Sequence, residues 1–253
     1  MIRLKSRREI EIIRRGGRIV AEAITLVGKL KLVGMRTVEL DAEVEELVVA
    51  RGGKPAFKGY HGFPNCCCIS LNEELVHGIP GDRVIVEGDL VSVDIGVELE
   101  NYFSDAATTV AAGRVTKEAR KLMRVTRKSL EMAIDVLKPG VRLSDIGRTV
   151  QNHVESNGFS VVRQFVGHGI GRQLWEEPQV PNFWDDGEST PTDRALEKGT
   201  VLAIEPMVNA GDYRVKTRPD KWTVVTCDGK LSAHYEHTIA ITESGADVLT
   251  MLA

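Results

Sequence analysis

LVSVDIGVELENYFSDAATTV, residues 90–110, is the stretch whose reading decides the fold. In its first arm Val91, Val93, Ile95 and Val97 point one way while Ser92, Asp94 and Gly96 point the other, the two-residue period of a strand. A turn over Glu98–Asn101, with Asn101 where a left-handed backbone is tolerated, folds the stretch into a β-hairpin. That register sets Asp94 directly across from Asp105, where opposed side chains on one face lie about 5 Å apart. Two carboxylates so close either share a proton or hold cations. Cations are the expectation here, because further oxygen and nitrogen ligand candidates follow inside apolar runs and tight glycine turns.

A chain of 253 residues suffices for one large domain or two small ones. The net charge is −3 and no polybasic run occurs, which argues against nucleic acid or an anionic membrane as partner. No apolar stretch approaches the ~18 residues of a membrane span. The opening MIRLKSRREIEIIRR is charged throughout, without an apolar segment of signal-peptide length, so a cytoplasmic location is expected. Cys66, Cys67 and Cys68 are consecutive and Cys227 stands alone. Adjacent cysteines make a poor disulfide framework, and reduced thiols are expected, with one lining a pocket as the alternative.

Around the hairpin the chain reads twice in the same order. Residues 7–30 carry Ile10, Ile13, Val20, Ala23, Ile24 and Val27 on one helical face, and Gly34 ends that element. Thr37 is read as the N-cap of a second helix reaching Ala50, closed by Arg51–Gly53. In the second half, Lys117–Leu137 is helical, Pro139–Gly140 ends it, Ser144 caps the next helix, and Asn157–Gly158 closes that one. KLVGMRTVELDAEVEELVVARGG lies over LKPGVRLSDIGRTVQNHVESNGF with Gly34 on Gly140, Arg36 on Arg142 and Gly52 on Gly158. A duplicated α/β unit is expected, with halves of about 1–113 and 114–253 in one domain. Their strands would form one curved sheet with helices outside and a ligand site at the seam.

Beyond the fourth helix, FVGHGIG (165–171) is too rich in glycine for a regular element. TVLAIEPMV (200–208) is a strand broken by Pro206, and LSAHYEHTIAIT (231–242) reads as one strand with His234, Glu236, Thr238 and Ala240 on one face. The segment 178–197 reads as a surface loop. Polar residues set within these apolar runs and turns are Asp94, Asp105, His168, Glu205 and Glu236. Singly, Asp94 and Glu236 could be solvated strand residues and His168 a turn residue, but Glu205 between Ile204 and Pro206 needs a partner if buried. Together, four carboxylates and an imidazole suit Mn, Fe(II), Co or Zn, and that many carboxylates favour two ions about 3.5–4 Å apart.

NEELVHGIP (72–80), VDIGVELENYFSDAATT (93–109), GHGIG (167–171), EEPQVPNF (176–183), AIEPM (203–207) and WTVVTCDGKLSAHYEHTIAIT (222–242) resemble type I methionine aminopeptidases across essentially the whole chain. The resemblance implies the pita-bread α/β fold, two pseudo-symmetric halves around a curved antiparallel sheet. It implies two divalent ions held by Asp94, Asp105, His168, Glu205 and Glu236, with Asp105 and Glu236 shared between them. By the same resemblance Glu205 is the general base and acid, and His77 contacts the scissile amide. The implied substrate is the N-terminus of a peptide or nascent chain, with the ribosome as a candidate partner and a monomer as the expected state.

The pattern breaks at one catalytic position and at several pocket positions. Trp175 in GRQLWEEP stands where the family carries a second active-site histidine. Losing an oxyanion-side donor typically costs about 100- to 1000-fold in turnover. Tyr60, Cys68 and Trp222 match positions lining the family's methionine pocket. Phe63 replaces the usual tyrosine, Phe57 a frequent cysteine and Leu174 the usual phenylalanine. Three functions follow. The first is a dimetal aminopeptidase removing N-terminal methionine or another small residue. The second is a low-activity or altered-specificity paralogue that binds peptide N-termini or a protein partner. The third is a proline-specific aminopeptidase of the same fold, which WTVVT and SAHYEHT fit less well.

Overall fold

The computed structural model describes residues 2–185 and 192–252. Helices α1 (Arg7–Lys29) and α2 (Thr37–Ala50) open the chain, followed by strands β1 (Lys54–Pro55), β2 (Cys67–Leu71) and β3 (Glu74–Val76). The hairpin is β4 (Leu90–Leu99) and β5 (Tyr102–Ala111), and helices α3 (Lys117–Asp135) and α4 (Leu143–Ser156) come next. Short strands complete the chain: β6 (Ser160–Val161), β7 (Gly167–Gly169), β8 (Glu176–Val180), β9 (Val201–Ile204) and β10 (Met207–Asn209), then β11 (Val215–Thr217), β12 (Val224–Thr226), β13 (Ser232–His234), β14 (His237–Thr242) and β15 (Gly245–Val248).

Hydrogen bonding divides the β-structure of the described residues into four antiparallel sheets. One holds the hairpin with β1 and β2, and another runs β15-β14-β9-β7-β8. The alternation read along the first hairpin arm is observed: Val91, Val93, Ile95 and Val97 pack under Val20, Val27, Leu40 and Val48 of α1 and α2. A second core joins Leu122 and Leu130 of α3 and Ile146 and Val150 of α4 to Leu202, Ile204 and Ile239. Burying each such aliphatic side chain stabilises the fold by about 1.5–3 kcal/mol.

The repeat seen in sequence extends to individual hydrogen bonds. Gly34 and Gly140 both take left-handed φ, +92° and +93°. Gly34 N–H donates to the Ile85 carbonyl at 2.8 Å, and Gly140 N–H to that of Leu196 at 2.8 Å. Arg36 bridges Val84 as Arg142 bridges Ala195. Thr37 and Ser144 are not the N-caps; Arg36 and Arg142 are. The reason is shared: the Glu39 and Asp145 carboxylates accept the Arg36 and Arg142 N–H groups at 2.8 and 2.9 Å. The Thr37 hydroxyl is committed elsewhere, donating to the Gly81 carbonyl.

Four further expectations are corrected. The hairpin turn is the pair Glu100–Asn101, both left-handed at φ 51° and 63°, so Leu99 faces Tyr102 and Asp94 faces Ala107. Asp105 lies across from Gly96, diagonal to Asp94 but on the same face, because the period of two survives a two-residue shift. The 231–242 stretch is two strands, interrupted at Tyr235–Glu236 where the chain leaves β10 and joins β9. The loop read over 178–197 begins inside β8, and its centre, 186–191, lies outside the described residues.

The fourth correction concerns GHGIG, which contributes the strand β7 between β8 and β9. Glycine permits the pairing instead of preventing it. A Cβ at Gly169 would stand 2.2 Å from the Glu177 carbonyl oxygen, and one at Gly167 would stand 2.4 Å from that of Ala203. Gly169→Ala is therefore expected to destabilise the protein by about 1–3 kcal/mol. An unchanged urea midpoint in that variant would refute the close approach.

Candidate metal centre

The inward side of the hairpin, β7, and the breaks between β9 and β10 and between β13 and β14 meet at one cavity of ≈ 570 Å³. Asp94 and Asp105 enter it from β4 and β5, His168 from β7, and Glu205 and Glu236 from the two strand breaks. Backbone contacts hold these elements together. The Thr238 hydroxyl accepts the Asp105 N–H at 2.9 Å and donates to the Asp105 carbonyl at 2.7 Å. Glu236 N–H donates to the Ala107 carbonyl at 3.0 Å, and the Asn182 amide donates to the Glu205 carbonyl at 2.9 Å.

Ligand atoms of Asp105, His168 and Glu236 lie within 4.8 Å of one another, as do those of Glu205, His234 and Glu236. His168 Nδ1 is 2.9 Å from the Gly169 carbonyl, which can only accept, so Nδ1 carries the proton. Its Nε2 lone pair then faces Glu205 Oε1 at 3.6 Å. All six further residues singled out for the substrate line the same cavity: Tyr60, Phe63, Cys68, His77, Trp175 and Trp222. Phe57 and Leu174 line it too.

Electrostatics explain what the cluster needs. Burial lifts the Glu205 carboxyl well above the usual range, and the Asp94 and Asp105 charges lift it further. Burial and the Glu205 and Asp94 charges do the same to Glu236. Asp105 is likewise raised, by burial and then by Glu236 and Asp94. Asp94 is pushed up to about 7 by burial, opposed by its hydrogen bond with Asp105. Desolvation pushes the imidazoles the other way, His168 and His77 to about 4, leaving neutral rings with a lone pair to offer.

Asp94 Oδ1, Asp105 Oδ1, Glu236 Oε1 and His234 Nε2 are buried without a hydrogen-bond partner. Unpaired buried acceptors facing one space, beside carboxylates that raise each other's pKa, fit divalent cations as the missing counter-charge. Burial also holds the Cys68 thiol protonated, its pKa raised well above the ordinary value.

The aromatic part of the cavity has its own geometry. Trp175 is 47% exposed at the mouth, edge-on to Tyr60 at 5.3 Å and to His168 at 6.3 Å between ring centroids. His77 sits with left-handed φ of 59° between Phe165 at 5.9 Å and Trp222 at 6.5 Å. A non-glycine residue held there stores strain of about 1–3 kcal/mol, a cost commonly found at functional sites. Phe165, Met207 and His234 are among the lining or adjacent residues to which the sequence assigned no role. His234 had a legible signal, since it shares the face of Glu236 two residues on; Phe165 and Met207 had none beyond apolarity.

The raised Asp94 carboxyl carries a pH signature. The folded state favours its protonated form, so the associated stability is full below the unfolded value of about 3.9 and is lost as pH rises to about 7. Metal-free Asp94→Asn should therefore be more stable than the metal-free parent at pH 8, with the gap closing between about pH 7 and pH 4. Thermal melts in a chelator across that range check it, and a gap independent of pH would contradict it.

Comparison with known proteins gives the same direction. Residues 11–243 match metallopeptidase family M24. The methionine aminopeptidase of Clostridium perfringens is 49% identical over 252 residues, covering 100% of both chains. Methionine aminopeptidase 1 of Bacillus subtilis is 49% identical over 250 residues, 99% of each. The crystal structure of Thermotoga maritima methionine aminopeptidase superposes with a TM-score of 0.96 at 47% identity over 100% of both chains. Pyrococcus furiosus prolidase shares the fold at TM-score 0.79 and 25% identity, covering 99% of this chain and 66% of its own. These matches carry the α/β pita-bread architecture and the use of divalent metal, and the chain belongs to metallopeptidase family M24, among the methionine aminopeptidases.

Proposed function

We propose that this protein removes the N-terminal methionine from peptides and nascent chains in the cytoplasm, acting as a metal-dependent aminopeptidase. The supporting observation is the convergence of four buried carboxylates and a neutral imidazole on the floor of a cavity with aromatic walls. Asp94, Asp105, His168, Glu205 and Glu236 would hold the metal, two divalent ions such as Mn, Fe, Co or Zn. Divalent ions in such a site polarise a carbonyl and lower the pKa of a water molecule.

The remaining steps belong to the chain. Glu205, whose carboxyl is raised by burial and by Asp94 and Asp105, accepts a proton from the attacking water and returns it to the leaving amine. His77, neutral and fixed between Phe165 and Trp222, donates a hydrogen bond to the peptide group being cleaved. Tyr60, Phe63, Cys68 and Trp222 enclose the side chain of the first residue, where a flexible thioether makes favourable contacts with ring edges. The working unit is a monomer, with residues 1–253 forming one domain of two halves, about 1–113 and 114–253. Among the described residues no helix is long and apolar enough to cross a membrane. The growing chain at the ribosome is the partner this reading implies.

Trp175 favours a second reading, a slow or altered-specificity enzyme that mainly binds peptide N-termini. Its ring covers the cavity mouth beside His168, where the indole can donate a hydrogen bond but cannot titrate. Release of methionine from Met-Ala-Ser with added Mn or Co separates the two. A protein that retains its ions yet frees no methionine would support binding alone. Trp175→His should raise kcat on that peptide, toward the roughly 100- to 1000-fold that one such donor is worth. Unchanged kcat at unchanged metal content would clear the tryptophan of limiting turnover. Asp105→Asn should abolish activity, and wild-type turnover in that variant would overturn its assignment as a shared ligand.

A further inference from the structure

His234 lies outside the five ligand positions read from the sequence, yet it points into the same cluster. It ends β13, its side chain is 2% exposed, and Nε2 has no hydrogen-bond partner. That atom is 3.7 Å from Glu205 Oε2 and 3.8 Å from Glu236 Oε2. Both separations exceed hydrogen-bond range, so the imidazole does not serve either carboxylate as a donor. They do match the spacing of ligands around one ion. With bonds of about 2.0–2.2 Å, two ligands on one cation stand roughly 3–3.7 Å apart as their angle opens from 90° to 120°. The His168 Nε2 to Glu205 Oε1 separation, 3.6 Å, falls in the same span. The His234 distances, 3.7 and 3.8 Å, lie at the upper edge of that span.

Glu205 is thus flanked by two imidazoles on opposite oxygens, His168 at Oε1 and His234 at Oε2. We propose that His234 is a further protein ligand of the centre, binding through Nε2 the ion held by Glu205 and Glu236. The inference rests on the metal reading above and adds a second imidazole to it. A second neutral nitrogen shifts the donor set from nearly all oxygen toward the mixed nitrogen–oxygen sets that suit Fe(II), Co or Zn over Mn. It also carries no charge, so it adds coordination without adding to the repulsion among four carboxylates.

Cobalt(II) as probe reports the number of ligating imidazoles directly, since each coordinated ring shows a strongly shifted N–H proton resonance. The full-length protein saturated with Co(II) should show two such resonances. His168→Gln should remove one and His234→Gln the other. Calorimetric titration of His234→Gln with Co(II) should show at least about tenfold weaker binding at one site, since even residues contacting ligands indirectly alter affinity 10- to 100-fold. A single resonance in the parent protein that survives His234→Gln overturns this proposal and leaves the metal reading standing. Two resonances with unaltered affinity in His234→Gln also overturn it. No uptake of Co(II) at all overturns both.

Discussion

Mutual repulsion among Asp94, Asp105, Glu205 and Glu236 is the constraint on which the rest of this structure depends. Each carboxyl is raised from its ordinary range, with burial as the largest cause. Like charges gathered in a low-dielectric space cost several kcal/mol apiece unless they are protonated or countered by cations. A fold that nonetheless brings them together must hold its backbone by other means. It does so with two packed aliphatic layers, one beneath α1 and α2 and one beneath α3 and α4. The unfavourable centre lies between them.

The strand breaks are the device that delivers the glutamates. A continuous strand alternates its side chains between faces and commits every backbone group to a ladder. At Pro206 the ladder stops, and the chain passes from the five-stranded sheet to the three-stranded sheet of β6, β10 and β13. At Tyr235–Glu236 it passes back. Both glutamates sit at these crossings, and the freed Glu236 N–H is taken by Ala107 of the hairpin. That contact fixes Glu236 relative to the hairpin, while the Asn182 amide holds the Glu205 carbonyl.

The aromatic wall of the cavity is built differently from the centre. The carboxylate side of the cavity is polar and tightly tethered, whereas the opposite wall is made of rings held edge to face. Aromatic pairs in this arrangement contribute about 0.5–1.5 kcal/mol each beyond their area. Trp175 joins the two regions, touching Tyr60 of the wall and His168 of the centre.

Much of this was legible in the chain alone. Period-two alternation placed Asp94 and Asp105 on one face, and spaced glycines and arginines revealed the repeated helix pair, down to Arg36 and Arg142. Local chemistry dictates such features, because strand period, left-handed glycine and apolar faces act over a few residues. The hairpin register was misread because Asn101 marks a turn without saying that Glu100 joins it in the left-handed region. Glycine content signals flexibility locally, whereas the cause of β7 lies in carbonyls of its partner strands β8 and β9, which only tertiary pairing brings close. The place of His234 was likewise out of reach. Its spacing from Glu236 shows on which face it lies, but only long-range packing of β13 against β10 brings its nitrogen within 4 Å of Glu205.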